Sequence, residues 1–282
     1  MWRPVTAGEE IALREFLSAH LDSSMFLPGN LEEHGLAGEA AHACRYWCLG
    51  SVHSGVFARS LGGMVMMQAP QADAAAWREA ARLLIGQDVA GIVGEAVQVF
   101  AFTAAADWPG SLNMDSVEPG YSLDLDALVM PPLPAEFELC PLAALDRMTA
   151  EIWREGYVIE TGMAAPHRAR GQAVKEIAHY LERGMHRMLM RDGLPVAMTG
   201  FNSIAGDAVQ VGGVWTPPEL RGREYARCAV ALHLAEARAR GARRGFLFAA
   251  SAMAARAYKA IGFQRAFDFG WRLYSDPIEV PA

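Results

Sequence analysis

Cysteine is scarce in this chain of 282 residues: there are four, Cys44, Cys48, Cys140 and Cys228. So few thiols in a chain of this length make no disulfide framework, which points to a reducing compartment. His42 and His53 stand near Cys44 and Cys48, but the spacing matches no common zinc pattern, so buried free thiols and no metal are expected. A basic excess is also missing. Lys and Arg number 25 against 32 Asp and Glu, a formal net charge of -7, which argues against a nucleic-acid partner. No run approaches the roughly 20 apolar residues that span a bilayer, and the N-terminal MWRPVTAGEE has no apolar core of a secretory signal. The expectation is a soluble cytoplasmic protein without a membrane partner. Neither GxxxxGK[ST] nor GxGxxG occurs, so nucleotide triphosphate hydrolysis and dinucleotide binding of those types are not expected.

What is present is a globular composition, 52% hydrophobic and 20% charged, long enough for two domains of roughly 100–200 residues each. VMPPLPAEFELCPL, residues 129–142, carries four prolines and no helical period. It reads as a linker or an edge crossing, dividing the chain into 1–130 and 131–282. In the first part IALREFLSAHL and AAAWREAARLLIG have helical patterns. YWCLGSVHSGVFARSLGGMVMMQ reads as two or three strands, and YSLDLDAL alternates as one more. In the second part residues 145–157 and 171–184 read as helices. MHRMLMRDGLPVAMTGF reads as a hairpin, because Asp192-Gly193 supplies the positive φ angles of a two-residue turn. The strand DAVQVGGVWT, a helix over 223–240 closed by Gly241, the buried strand GFLFAA, a short helix over 252–261 and the strand FQRAFDFGWRLY follow. The fold class is α/β with a mixed sheet.

VWTPPELRGREYA, residues 214–226, joins the first two of those last elements. A proline pair stops strand pairing, and a helix begins just beyond, so several backbone N–H groups lack intrahelical partners. Such groups at the positive end of a helix dipole favour an anion. Gly222 allows close approach, Ala226 keeps one helix face thin, and Arg221 and Arg223 add positive charge.

The second part resembles the GNAT superfamily of N-acyltransferases, over roughly residues 140–274. The family carries Arg/Gln-x-x-Gly-x-Gly/Ala after its fourth strand, often as V-Y-T-P-P-E-x-R-G-R-G-Y-A. Here Arg221 holds the first place, Glu224 a glycine place and Ala226 the last. A second family segment, N-P-x-S-N-x-x-Y-x-x-x-G-F, is matched by SAMAARAYKAIGF, residues 251–263. Tyr258 and Gly262-Phe263 agree, Ser251 takes the asparagine place, and Ala254-Ala255 replace Ser-Asn. The resemblance implies that the loop from Arg221 through Gly222, Arg223, Glu224 and Tyr225 to Ala226 grips the pyrophosphate of coenzyme A. The pantetheine arm would run along Val214, Trp215 and Thr216, with Ser251 alongside. Acetyl-CoA is the implied donor, without a metal. The element order of the first part looks like a worn copy of the same fold, as in tandem members, and implies two GNAT-like domains with a structural role for the first.

Acyl transfer from a thioester to an amine needs a neutral amine, a stabilised oxyanion and a protonated leaving thiolate. An amine of pKa about 10.4 needs a base or a dry site. Glu155, Glu160 and His167 are candidates, as is a water chain. A backbone N–H near Val214 would serve the oxyanion. Tyr258, with a reference pKa of about 10, would be the acid. The acceptor is a small-molecule or peptide amine, and net negative charge favours a cationic one. The competing readings are an acyl-CoA-binding module without turnover and a scaffold without a ligand.

Overall fold

A computed structural model describes all of residues 1–282. In chain order the elements are β1 (Trp2–Pro4), α1 (Glu10–Ser18), α2 (Leu21–Ser24), α3 (Phe26–His34), β2 (Cys44–Leu49), β3 (Val56–Ser60) and β4 (Met64–Gln68). Then follow α4 (Ala74–Arg82), β5 (Asp88–Glu95), α5 (Ala96–Ala106), β6 (Leu112–Asp124) and β7 (Phe137–Pro141). The rest are α6 (Arg147–Glu160), α7 (Pro166–Arg183), β8 (His186–Arg191), β9 (Leu194–Ala205), β10 (Ala208–Trp215), α8 (Tyr225–Ala239), β11 (Arg244–Phe248), α9 (Ala252–Lys259) and β12 (Gln264–Glu279). No helix is long and apolar enough to cross a membrane.

The chain divides into two compact units. One is Met1–Glu118 with Phe267–Ala282, the other Pro119–Ala266. This differs from the expected 1–130 and 131–282 in two places, and the reason is strand pairing. Residues Gly120–Asp124 of β6 pair antiparallel with β11, and Tyr121, Leu123 and Leu125 are buried with Leu234, Leu247 and Phe263. The end of β12 pairs instead with β5, Phe269 opposite Glu95 through Leu273 opposite Gly91. The proline-rich stretch 129–136 therefore follows the second unit's first strand, and its last part, Phe137–Pro141, is edge strand β7.

In the first unit the sheet runs β1-β2-β3-β4-β5-β12, and β4/β5 is its parallel pair. Trp77 anchors the core, with ring centroids 5.6 Å from Trp2 and 5.7 Å from Phe102. Helix α4 begins at Asp73, whose carboxylate accepts from the Ala76 N–H at 2.8 Å, a standard N-cap. Strand β5 and helix α5 carry no sequence period, because the residues between Asp88 and Glu95 and most of α5 are apolar and Glu95 supplies no side-chain cap.

In the second unit the order is β6-β11-β10-β9-β8-β7, and β10/β11 is the parallel pair. The β8–β9 hairpin turns at Asp192 (φ 51°) and Gly193 (φ 76°), as the Asp-Gly pair requires. Helix α8 buries Cys228, Ala229, Val230, Ala231, His233, Leu234 and Ala237, and starts at Tyr225 rather than 223. Helix α6 starts two residues later than expected, because Asp146 caps it through the Thr149 N–H at 2.9 Å, and runs on to Glu160, whereas α7 starts five residues earlier, because Pro166 opens it.

Candidate functional site

A cavity of about 460 Å³ opens in the second unit where β10 and β11 part. The two strands pair only from Ala208 opposite Arg244 to Gln210 opposite Phe246. Beyond that point Val211–Thr216 line one wall, and Phe248, Ala250 and Ser251 line the facing one. Two register shifts between β10 and β9 accompany the divergence, the first between Gln210 and Val211, where Asn202 is the extra residue on β9. On β10, Gly212 pairs with Gly200 and Trp215 with Met198, so Gly213 and Val214 together face the single residue Thr199. That extra residue is a β-bulge, and Gly213 takes φ 62° to make it. The Gly212-Gly213 pair inside an otherwise apolar strand was the sequence signal for it. A bulged residue leaves the ladder, so the backbone at Val214 is available to the cavity.

The floor of the cavity is the turn from Trp215 to Ala226. Gly222 has φ 78° and Glu224 φ 64° with ψ 9°, both left-handed. Glutamate here holds a conformation that glycine adopts without strain. Its carboxylate does not cap α8 and pairs instead with Arg227. The first-turn residues Tyr225, Ala226 and Arg227 line the cavity, and their N–H groups lie at the positive end of the helix dipole. Arg221 is held at three points: Nε donates to the Thr216 carbonyl at 3.0 Å, Nη2 donates to Glu160 at 2.8 Å, and the guanidinium lies 4.8 Å from the Trp215 ring centre.

All eleven site residues expected from sequence, Val214, Trp215, Thr216, Arg221, Gly222, Arg223, Glu224, Tyr225, Ala226, Ser251 and Tyr258, line this one cavity. Their side chains do different things. The Trp215 indole is buried in a cluster with Met188, Met198, Ile177 and Tyr180, and carries the Arg221 guanidinium over its ring. The Tyr225 ring packs into a second cluster and stands 5.8 Å from Phe137. Its hydroxyl accepts from Arg191 Nη1 at 2.8 Å, and that bond, with help from Arg223, draws its pKa below the ordinary phenol value. Ser251 Oγ accepts from the Ala254 N–H at 3.1 Å and so caps α9. The Thr216 hydroxyl is buried without a hydrogen-bond partner. Tyr258 is 7% exposed and packs against Phe263 at 6.2 Å.

Among the candidate bases, Glu160 lines the cavity, whereas Glu155 and His167 do not. Glu155 pairs with Arg170 at 3.5 Å. Sequence reasoning did not single out Tyr157, Thr161, Arg227, Met253 or Arg256, which also line it. The first two come from the end of α6, whose approach no local pattern announces. Beneath the bulge lies His186, fully buried, with neither ring nitrogen hydrogen-bonded. Burial holds its pKa far below the ordinary value, so it is neutral.

No protein-family model matches the chain, and no curated protein sequence matches it. Solved structures do. A Drosophila protein is 14% identical at a TM-score of 0.66, over 97% of this chain and 98% of that one. A tandem GNAT protein from the clavulanic acid biosynthesis pathway is 16% identical at 0.60, over 99% of each chain. A GCN5-related N-acetyltransferase from Kribbella flavida is 16% identical at 0.53, over 78% and 86%. The chain has the tandem GNAT fold.

Within that fold the first unit's counterpart of the cleft is closed. β4 and β5 stay paired through four positions, Met64 opposite Gly91 to Met67 opposite Gly94. The cavity beside Met67 and Gly94 is about 10 Å³, and a separate one of about 350 Å³ lies beyond β4, where Pro70 and Gln71 face Phe16, His20 and His53. The Ala69 N–H beyond β4 is taken by Gln98 at 2.6 Å, and Asp73 already occupies the start of α4. Gly91 of β5 belongs to this packing: a Cβ there would lie 2.6 Å from Leu273.

Proposed function

We propose that the protein is an N-acyltransferase that moves an acetyl group from acetyl-CoA to a primary amine by direct attack, using the cavity of the second unit. The observation that carries this reading is the coincidence in one cavity of a parted strand pair, an uncapped helix start behind a left-handed turn, and a tyrosine. The turn's N–H groups and Arg221 would hold the pyrophosphate, and the pantetheine arm would add to the parted strand along Val214–Thr216.

The amine nitrogen would attack the thioester carbonyl while the Val214 N–H stabilises the oxyanion. Collapse expels the thiolate, which Tyr258 protonates, and the surplus proton of the attacking nitrogen passes through a water chain to restore the Tyr258 phenol. The first unit, with its cleft closed and its helix start capped by Asp73, would bind no donor and act structurally.

The test is release of free thiol from acetyl-CoA across a panel of amines, beside calorimetry with coenzyme A. Turnover of at least one amine is expected. Absence of coenzyme A binding at millimolar ligand would remove the reading. Tyr258→Phe is expected to lower kcat by about a hundredfold, within the usual range for a general acid, while leaving coenzyme A affinity within about twofold. An unchanged kcat would end the acid role.

A further inference from the structure

The charge that the donor loop offers to phosphate is already shared with a carboxylate. Arg221 donates Nη2 to Glu160 at 2.8 Å, across from the loop to the last turn of α6. Gly156 makes the contact possible. A Cβ there would lie 3.1 Å from the Trp215 ring, so a glycine lets α6 close onto β10. Glu160 stands one helical turn further along the same face. Trp215 is thus the base on which both partners rest, with Gly156 against its ring and the Arg221 guanidinium over it.

Resting on the acetyl-CoA reading above, we propose that Glu160 sets donor affinity by competing with the donor's phosphates for Arg221. The physical case rests on what holds Arg221 without Glu160. The Thr216 carbonyl keeps Nε, and the Trp215 face keeps the guanidinium plane. Position therefore does not depend on the carboxylate, whereas charge does. A phosphate approaching Arg221 meets an ion pair instead of an isolated cation, and must displace Glu160 or share the guanidinium with it. Glu160 is about half exposed and Arg221 about a third. Pairs so accessible are weak, so the competition is a matter of a few-fold in affinity. Glu160 itself stands on the cavity wall, and displacement would free its carboxylate on that wall.

The experiment is a double-mutant cycle read by calorimetry with coenzyme A. Glu160→Gln keeps a hydrogen-bond acceptor and removes the charge, and is expected to tighten coenzyme A about threefold to fivefold. Arg221→Ala is expected to weaken it about tenfold. In the Arg221→Ala background, Glu160→Gln should change affinity by less than about twofold, because its effect passes through the arginine. The gain from Glu160→Gln should also shrink at 0.5 M salt, which a purely structural effect would not do. Unchanged or weaker binding by Glu160→Gln would overturn the proposal, as would an equal gain in both backgrounds. Failure of the parent protein to bind coenzyme A at all would instead remove the acetyl-CoA reading, and this proposal with it.

Discussion

Glu224 holds a left-handed backbone at φ 64°, a conformation in which its Cβ crowds the chain. The side chain reaches solvent and pairs with Arg227, so the acid neither fills the anion site nor caps α8. Glu224→Gly should relieve the strain and raise stability by about 0.5–1 kcal/mol. Thermal unfolding would show a rise of a few degrees, and coenzyme A should bind more tightly; a lower melting temperature or weaker binding would show that the glutamate has a positive role. His233 makes a different prediction. It stacks on Phe201 at 3.8 Å between ring centres and is 2% exposed. Burial, reinforced by Arg187, lowers its pKa to about 3. Since the unfolded chain takes up this proton below about pH 6.5 and the folded chain does not, stability falls as pH drops from 6.5 toward 3. By pH 5 the loss from His233 is of order 2 kcal/mol, and neutral His186 acts in the same direction. Urea midpoints at pH 7 and pH 5 measure this, and His233→Phe should flatten the slope.

At the scale of elements, the site depends on one bulged strand and on the small residues around it. Gly200 sits opposite Gly212 on β9, and a Cβ there would fall 2.1 Å from the His186 ring. The His186 ring in turn stacks on Tyr180 of α7 at 3.6 Å, so it cannot step aside. Gly200→Ala should therefore destabilise by about 3 kcal/mol, at the upper end for overpacking. The measurement is denaturant unfolding of Gly200→Ala alone and with His186→Ala. The second change should restore part of the loss, because it empties the space the new methyl needs. The sequence announced the hairpin through Asp-Gly, whereas the stretch with the adjacent glycines read only as a strand and the bulge appears in the structure. Nor did the sequence announce α5, whose mostly apolar faces leave no period to read, or the histidine beneath the bulge.

At the scale of the molecule, each sheet takes its sixth strand from a distant part of the chain. The second unit uses Gly120–Asp124, and the first uses Phe269–Leu273. A fragment of residues 131–282 would lack β6, exposing the β11 edge and removing Tyr121, Leu123, Leu125 and Leu128 from the core. It should fold poorly and show little amide protection in β10 and β11, whereas residues 119–266 should give a cooperative transition. Equal protection in both fragments would show that β6 is dispensable. The proline-rich segment misled because prolines mark where pairing stops locally, while a unit boundary depends on which distant strand is paired.

The sequence by itself determined the loop chemistry. Glycine at 222, arginines at 221 and 223, the proline pair, and a tyrosine before Gly262-Phe263 are local patterns, and local backbone preferences suffice to turn them into a helix start and a short capped helix. Only the tertiary structure decided that Trp215 and Tyr225 turn their rings into the core, that Arg221 is shared with Glu160, and that the sixth strands come from far along the chain. Those facts depend on long-range packing, where a glycine at 156 or 200 sets how closely two elements meet, and no periodicity within either element records that distance.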